Sequence, residues 1–265
     1  MNGNPNMYYV GGSKGGVGKS LFSFALTDYL LNQERDVLLV DTDTDNPDVY
    51  KAHKDLNLPN LACIMNTLDD ADGWAELFDT VQNYPAHTVV VNAAARTKAS
   101  TTAYGDIMQA ALQEIRRELT VFWVINRHRD SIELLHAFQQ AFPGVPVHVC
   151  RNLYFGPSER FEMYNSSKAR ETIEKSGRTL DFPDVANRVT DWLYSKRMSI
   201  RAAHSEMPLG TRVELQRWRL RCAELFSQAL DGVAYQSQPK RMSGIHHAIP
   251  VFSKGYRPKQ GKVAP

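Results

Sequence analysis

The chain has 265 residues, 43% hydrophobic and 23% charged, with a mean hydropathy of −0.40. This composition excludes a fully disordered or collagen-like chain, and no apolar run reaches the ~18 residues of a membrane-spanning helix. The net charge of +2 conceals a split, because residues 196–265 carry 13 basic and 4 acidic side chains while the rest of the chain is acidic.

The start of the chain and its cysteines indicate a compartment. The first residues show no signal-peptide pattern. Cys63, Cys150 and Cys222 are odd in number and far apart, without the spacing of a zinc site or a disulfide framework. We therefore expect a cytoplasmic protein.

Short apolar runs alternate with amphipathic stretches over the first 150 residues, as in strand–helix–strand units. The predicted strands are Met7–Val10, Val37–Val40, Thr88–Val91, Val121–Ile125 and Val147–Cys150. The predicted helices are Lys19–Leu31, Gly73–Val81, Thr102–Leu119 and Ser131–Phe142. Together they predict an α/β fold, a doubly wound and mostly parallel sheet flanked by helices, with ligands beyond the carboxyl ends of the strands.

The C-terminal part is predicted to be helical, over Val185–Tyr194 and Arg212–Leu230. In the second helix one face carries Leu215, Trp218, Cys222, Leu225 and Ala229, a spacing typical of packing on a core. Residues 237–265 contain six basic residues, four prolines and no acidic residue. We predict one α/β domain over 1–236 and a basic, disordered tail over 237–265.

A glycine-rich segment, Val10-Gly11-Gly12-Ser13-Lys14-Gly15-Gly16-Val17-Gly18-Lys19-Ser20, lies between the first strand and the first helix. Glycines let successive N–H groups point at a polyphosphate, and the helix N-terminus adds partial positive charge. In a phosphate-binding loop Lys19 would bridge the β- and γ-phosphates and the Ser20 hydroxyl would ligate Mg²⁺. The general pattern begins with glycine, where this chain has Ser13.

The run from Lys14 to Ser20 resembles the deviant phosphate loop of ParA/MinD-type ATPases, with Lys14 in the place of their signature lysine. The resemblance implies ATP and Mg²⁺ as cofactors and a homodimer in the ATP state, in which Lys14 reaches the partner's nucleotide. By the same resemblance Lys14, Lys19 and Asp43 would be catalytic. The residues expected to hold the nucleotide are Ser13, Lys14, Gly15, Gly16, Val17, Gly18, Lys19, Ser20, Leu21 and Asn126.

Aspartates follow the second predicted strand, in Val40-Asp41-Thr42-Asp43-Thr44-Asp45. A calcium loop is excluded, because Asn46 and Ala52 stand where its glycine and terminal glutamate would be. The family's Asp-x-Asp motif implies that Asp43 orients the attacking water and that Asp41 supports the metal's water shell, with Ser20, Asp41 and Asp43 as the metal site. The alternative is an aspartate-rich cap at the strand end.

Two later strand ends carry asparagine. Asn92 stands where these ATPases usually have aspartate, and the missing negative charge predicts slow hydrolysis more than it affects ATP binding. Asn126 directly follows Val121–Ile125, and this run resembles the strand whose terminal asparagine reads adenine in the superfamily. A plain turn asparagine is the alternative.

The basic C-terminal region suggests a partner for the predicted switch. Its prolines argue against an amphipathic membrane anchor, whereas phosphate-backbone contacts to DNA suit its basic residues. Those residues are Lys196, Arg197, Arg201, Arg217, Arg219, Arg221 and the tail. The alternative is that a polar helix and a soluble tail happen to be basic.

We therefore predict a ParA-like ATPase of plasmid partition or of conjugal mobilisation, as in TraL- and MobD-type proteins, with a protein partner in that machinery. Two other functions remain open. One is a nucleotide-gated scaffold with little hydrolysis, which Asn92 favours. The other is a small-molecule ligase or kinase like dethiobiotin-synthetase and cobyrinate-amidase relatives.

Overall fold

The computed structural model describes residues 6–12, 15–95 and 103–230, with the Asp106 side chain excepted. Within them seven parallel strands form one sheet in the order β3-β2-β4-β1-β5-β6-β7, so the predicted fold class is confirmed. The predicted tail over 237–265 lies outside the described residues. The strands are β1 Met7–Gly12, β2 Val37–Asp41, β3 Leu61–Met65, β4 Thr88–Asn92, β5 Leu119–Ile125, β6 Val147–Asn152 and β7 Thr179–Phe182.

Helices cover both faces of the sheet and bury its central strands on both sides. One face packs through Phe22, Val49 and Trp218, and the other through Trp74 and Leu135. The helices on the first face are α1 Lys19–Asn32, α2 Asp48–His53, α8 Asn187–Ser195, α9 Ile200–Glu206 and α10 Leu209–Leu230. Those on the second are α3 Ala71–Gln82, α4 Gly105–Glu114, α5 Arg129–Ala141, α6 Glu162–Asn165 and α7 Lys168–Ile173.

The main differences from the predicted elements lie at one helix end, at the sheet edges and in four short helices that were not predicted, α2, α6, α7 and α9. The helix predicted to reach Leu119 ends at Glu114, because Arg116 has a φ of 53° and turns the chain into β5. Strands β3 and β7 were not predicted. Both are edge strands, and β7 has only four residues of mixed polarity, Thr-Leu-Asp-Phe.

The last helix, α10, is an integral part of the domain. Leu215, Trp218 and Cys222 of its predicted apolar face are buried. The Trp218 indole Nε1 donates to the Pro183 carbonyl at 2.8 Å, which joins α10 to the segment after β7. No helix among 6–12, 15–95 and 103–230 is long and apolar enough to cross a membrane.

Candidate functional site

The phosphate loop connects the central strand β1 to α1. Two glycines have left-handed backbone angles, Gly16 with φ 78° and Gly18, the N-cap of α1, with φ 103°. A Cβ at Gly15 or Gly16 would meet no atom within 4 Å, so the space above this part of the loop is open. The first turn of α1 has no acidic side chain, and its N-terminal partial charge is available to an anion. Ser13 and Lys14 lie outside the described residues.

A residue distant in sequence holds this loop. Asn152, the last residue of β6, donates from Nδ2 to the Val17 carbonyl at 2.9 Å. The same amide fills the space where a Cβ of Gly18 would stand. Gly18 is therefore required both by its backbone angle and by the close approach of Asn152.

We predict that Gly18→Ala lowers the free energy of unfolding by about 3 kcal/mol, because alanine is strained at a left-handed φ and because its Cβ would displace Asn152. We also predict that the substitution removes nucleotide binding. Thermal unfolding and titration with a fluorescent ATP analogue measure the two effects. The matched control is Gly210→Ala, because a Cβ at Gly210 meets nothing within 4 Å. Wild-type binding by Gly18→Ala would contradict the loop geometry.

Lys19 lies at the start of α1 with 8% of its surface exposed. Burial lowers the pKa of its amine below the ordinary value, and the negative charge of Asp43 opposes that shift. The structure thus brings together two residues that the sequence predicts for the site. A poorly hydrated cation beside open, glycine-lined space suits binding of a polyanion.

Asp41 is fully buried at the end of β2, and protein atoms contact both of its carboxylate oxygens. Oδ1 accepts from Asn92 Nδ2 at 2.9 Å and from the Asp43 N–H at 3.2 Å. Oδ2 accepts from the Tyr50 N–H at 3.0 Å. Burial raises the pKa of Asp41, and the Asn92 hydrogen bond is the largest opposing influence. Asp41 thereby connects the loop after β2 to β4 and to α2.

Asn92 is bonded at both ends of its amide. Its Oδ1 accepts from the Ser23 hydroxyl of α1 at 3.0 Å while its Nδ2 donates to Asp41. The amide accepts and donates in these two directions without carrying a charge, whereas an ionised carboxylate would place a second negative charge against Asp41. Asparagine at this position therefore completes a buried Ser23–Asn92–Asp41 chain.

The described residues fit Mg²⁺ that enters together with a nucleotide. They hold no cluster of three or more His, Cys, Asp or Glu side chains able to bind a metal by themselves. Mg²⁺ usually keeps several waters and takes one or two protein ligands plus phosphates. Ser20 at the loop and half-buried Asp43 are suited to such a role. The metal assignment of Ser20, Asp41 and Asp43 stays a prediction.

Asn126 follows β5, and its side chain is engaged with the start of α5. Its Oδ1 accepts from the Ser131 hydroxyl at 2.8 Å and from the His128 N–H at 2.9 Å. Both hydrogen bonds use Oδ1 and neither uses Nδ2. The role of Asn126 in reading adenine stays a prediction.

A cavity of about 250 Å³ opens beside the phosphate loop. Gly16, Gly18 and Leu21, all predicted for the nucleotide site, line it, whereas Asn126 does not. Sequence reasoning missed the other walls, which come from three later segments: Asn152, Tyr154, Pro183, Asp184, Val185, Asn187, Thr190 and Tyr194. Polar residues beyond the ends of β6 and β7 were the available signal. Apolar and hydrogen-bonding groups next to a phosphate loop suit a nucleoside.

Comparisons with known proteins point the same way. The family profile of the CobQ/CobB/MinD/ParA nucleotide binding domain matches residues 8–149. The protein MobD of Acidithiobacillus ferrooxidans is 46% identical over 232 residues, which is 87% of this chain and 99% of that protein. A protein TraL of Escherichia coli is 27% identical over 59% of this chain and 70% of its own length. Among solved structures, a candidate plasmid partition protein of Borrelia burgdorferi bound to AMPPNP superposes with a TM-score of 0.54 at 15% identity, covering 84% of this chain and 99% of the other.

Proposed function

Since the chain belongs to the CobQ/CobB/MinD/ParA family of nucleotide-binding domains, we propose that it is an ATP-dependent, dimerising ATPase that acts on DNA or a DNA-processing complex in conjugal mobilisation or plasmid partition. The observation that carries the proposal is the buried Lys19 beside Asp43 at an open, glycine-lined loop. The likeness to MobD over most of the chain supports the mobile-element context.

In this proposal the loop N–H groups and Lys19 hold the phosphates, and Ser20 holds the metal. Bound ATP and Mg²⁺ supply polyphosphate charge and the hydrolysable bond. Asp43 accepts a hydrogen bond from the attacking water and keeps it in place. Lys14 supplies charge to the nucleotide of a second copy, which couples ATP binding to dimerisation.

The DNA contact is assigned to an exposed basic surface formed by Lys196 and Arg197, in the turn between α8 and α9, and by Arg201 in the first turn of α9. Lys196 lies over the Trp192 ring at 3.2 Å and remains exposed. Helix α8 lines the nucleotide cavity through Asn187 and Tyr194 and ends immediately before this turn. One helix therefore borders both the nucleotide and the proposed DNA contact, and a dimer doubles the phosphate contacts.

Two of the arginines predicted for DNA have protein partners. Arg219 forms a bidentate pair with Asp28 of α1, at 2.9 and 3.1 Å, and both side chains are largely buried. Arg217 forms a bidentate pair with Glu214. Arg219 is therefore assigned to the fold, because leaving Asp28 buried and unpaired would be costly.

Sedimentation velocity with AMPPNP-Mg²⁺, ADP-Mg²⁺ or no nucleotide tests the dimer. We expect the wild type to form a dimer only with AMPPNP-Mg²⁺. Under the same condition Lys14→Ala should bind the analogue but remain a monomer. Lys54→Ala, an exposed lysine outside the loop, is the control and should dimerise normally. Equal dimerisation of Lys14→Ala, or no response to nucleotide, would contradict the proposal.

The Ser23–Asn92–Asp41 chain favours a second candidate function. A nucleotide-gated scaffold would bind ATP, close and hold a protein partner with almost no turnover, since no carboxylate at position 92 would support metal-bound water. The scaffold would be favoured if the chain hydrolyses almost no ATP in a single-turnover assay but still dimerises with AMPPNP.

A further inference from the structure

A second cavity, of about 560 Å³, opens at the amino ends of β6 and β7, beside the turn that follows α7. Its volume is within the range of about 300–1,000 Å³ that is typical of small-molecule sites. It shares no lining residue with the cavity at the phosphate loop. His148, which lines it, precedes Asn152 by four residues on β6, so the two sites lie about 13 Å apart along the strand.

His148 is a buried polar side chain in the wall of this cavity. It is 7% exposed, and its ring packs on Phe122 with the ring centroids 5.3 Å apart. Its Nδ1 is buried without a hydrogen-bond partner. Burial, and secondarily the positive charge of Arg178, lower the pKa of His148 to about 4. The imidazole is therefore neutral at pH 7, and a ligand oxygen could accept a hydrogen bond from its N–H.

The turn after α7 is packed closely against β6. A Cβ at Gly177 would collide with the Val147 carbonyl, so the backbone comes as near to β6 as a glycine allows. The Arg178 carbonyl accepts from the Val149 N–H at 2.9 Å. These contacts fix the backbone of Arg178 next to the strand that carries His148.

The charge in the cavity wall is positive. Lys175 and Arg178 are exposed, and neither forms an ion pair within the described part of the chain. The wall contains one carboxylate, Glu174, which accepts from Arg170 Nε at 2.9 Å and from the Thr179 hydroxyl at 2.8 Å. Because Arg170 balances Glu174, the two cations remain available to a ligand.

An adjoining cavity of about 270 Å³ does not reverse this balance. It shares Leu180 with the first cavity and adds Arg221 and Glu224, whose charges are opposite. Its other carboxylate, Asp181, pairs with Arg151 at 2.7 Å. The excess positive charge therefore comes from the turn after α7.

We propose that the cavity at His148 binds the phosphate group of a small molecule, with Lys175 and Arg178 on the phosphate and the His148 imidazole donating to a ligand oxygen. Cations beside a neutral donor suit a tetrahedral oxyanion. A phosphate of duplex DNA is less suited, because the His148 ring is largely buried and a duplex is too wide to reach it. The inference does not depend on nucleotide binding at the phosphate loop.

Histidine ring resonances in NMR spectra of the full chain without nucleotide test the proposal at the cavity itself. The His148 resonance is identified by its absence from the spectrum of His148→Phe. The probes are inorganic phosphate and glycerol 3-phosphate, with sodium chloride at matched ionic strength as the salt control. We expect a saturable shift of the His148 resonance with a Kd of about 1 mM or below, and no shift with chloride. Tighter binding of glycerol 3-phosphate would identify a phosphate monoester as the ligand, and tighter binding of inorganic phosphate would identify the free ion.

Variants of the turn separate the cavity from general charge effects. Lys175→Ala and Arg178→Ala should each weaken the binding about tenfold. The matched control is Lys168→Ala, which removes an exposed lysine at the start of α7 that does not line the cavity and should leave the affinity within about twofold. Circular dichroism checks that each variant is folded.

Three results would overturn the proposal. The first is a wild-type His148 resonance that neither phosphate probe shifts, or that chloride shifts equally. The second is undiminished binding by Arg178→Ala. The third is a shift produced by a short duplex DNA but by neither small phosphate, which would make this region a nucleic-acid surface.

Discussion

Asn92→Asp is expected to destabilise the folded chain by about 3 kcal/mol at pH 8. The substitution replaces the amide that donates to Asp41 at 2.9 Å with a second carboxylate in a buried position. Two carboxylates this close cannot both remain charged without a large cost. In the folded variant the two carboxyl groups share a raised pKa and retain a proton, whereas in the unfolded chain they lose it above about pH 4. The variant therefore regains stability as the pH falls.

Urea unfolding of the wild type and the variant between pH 5 and 8 measures the effect, and the difference between the two free energies should increase with pH. Asn92→Ala is the matched control. It removes the amide that donates to Asp41 and accepts from Ser23, at a cost of about 1–3 kcal/mol, but it adds no charge and should show little of the pH dependence. A variant as stable as the wild type at pH 8 would contradict the buried chain.

An exchange of the two side chains separates stability from hydrolysis. Asp41→Asn combined with Asn92→Asp keeps one amide and one carboxylate in contact, so part of the lost stability should return. If the missing charge at position 92 slows hydrolysis, the double variant should hydrolyse ATP faster than the wild type. An unchanged rate in both Asn92→Asp and the double variant would place the cause of slow turnover elsewhere.

Lys19→Ala is expected to weaken ATP binding about 100-fold, equivalent to about 2.7 kcal/mol. The amine is buried next to an open loop, where a charge-assisted hydrogen bond to phosphate is stronger than at an exposed site. Folding should be little affected, because the wild-type chain already bears the cost of burying this cation, as its lowered pKa indicates.

Isothermal titration with ATP and Mg²⁺ measures the loss, and thermal unfolding checks the fold. The control is Lys54→Ala, which should bind ATP normally. It removes an exposed lysine whose amine lies 3.8 Å from the Asp55 carboxylate. Wild-type affinity in Lys19→Ala would exclude the loop as the phosphate site.

The sequence was sufficient to predict the parts that depend on neighbouring residues. Short apolar runs predict the strands Thr88–Asn92 and Leu119–Ile125, which are buried in the centre of the sheet. The glycine spacing before Lys19 predicts the loop. The edge strand β7 escaped prediction, since it has only four residues and obtains its conformation from pairing with β6.

The partners of the site residues could not be predicted, because they are distant in sequence. Asn152 reaches the loop across 135 positions, and Ser23 meets Asn92 across 69. Charge counting has the same limit: it identified Arg219 as a basic residue but not its pairing with Asp28. Composition reports how many charges a segment has, and only the fold shows which of them already have partners.

The measurement that tests the proposed switch most directly is binding to random duplex DNA with ATP-Mg²⁺, ADP-Mg²⁺ or no nucleotide, across a salt series, for the wild type and Lys14→Ala. We predict tight, steeply salt-dependent binding with ATP only, lost in Lys14→Ala. Weak binding that is indifferent to nucleotide, or undiminished binding by Lys14→Ala, would contradict a DNA-binding dimer controlled by ATP.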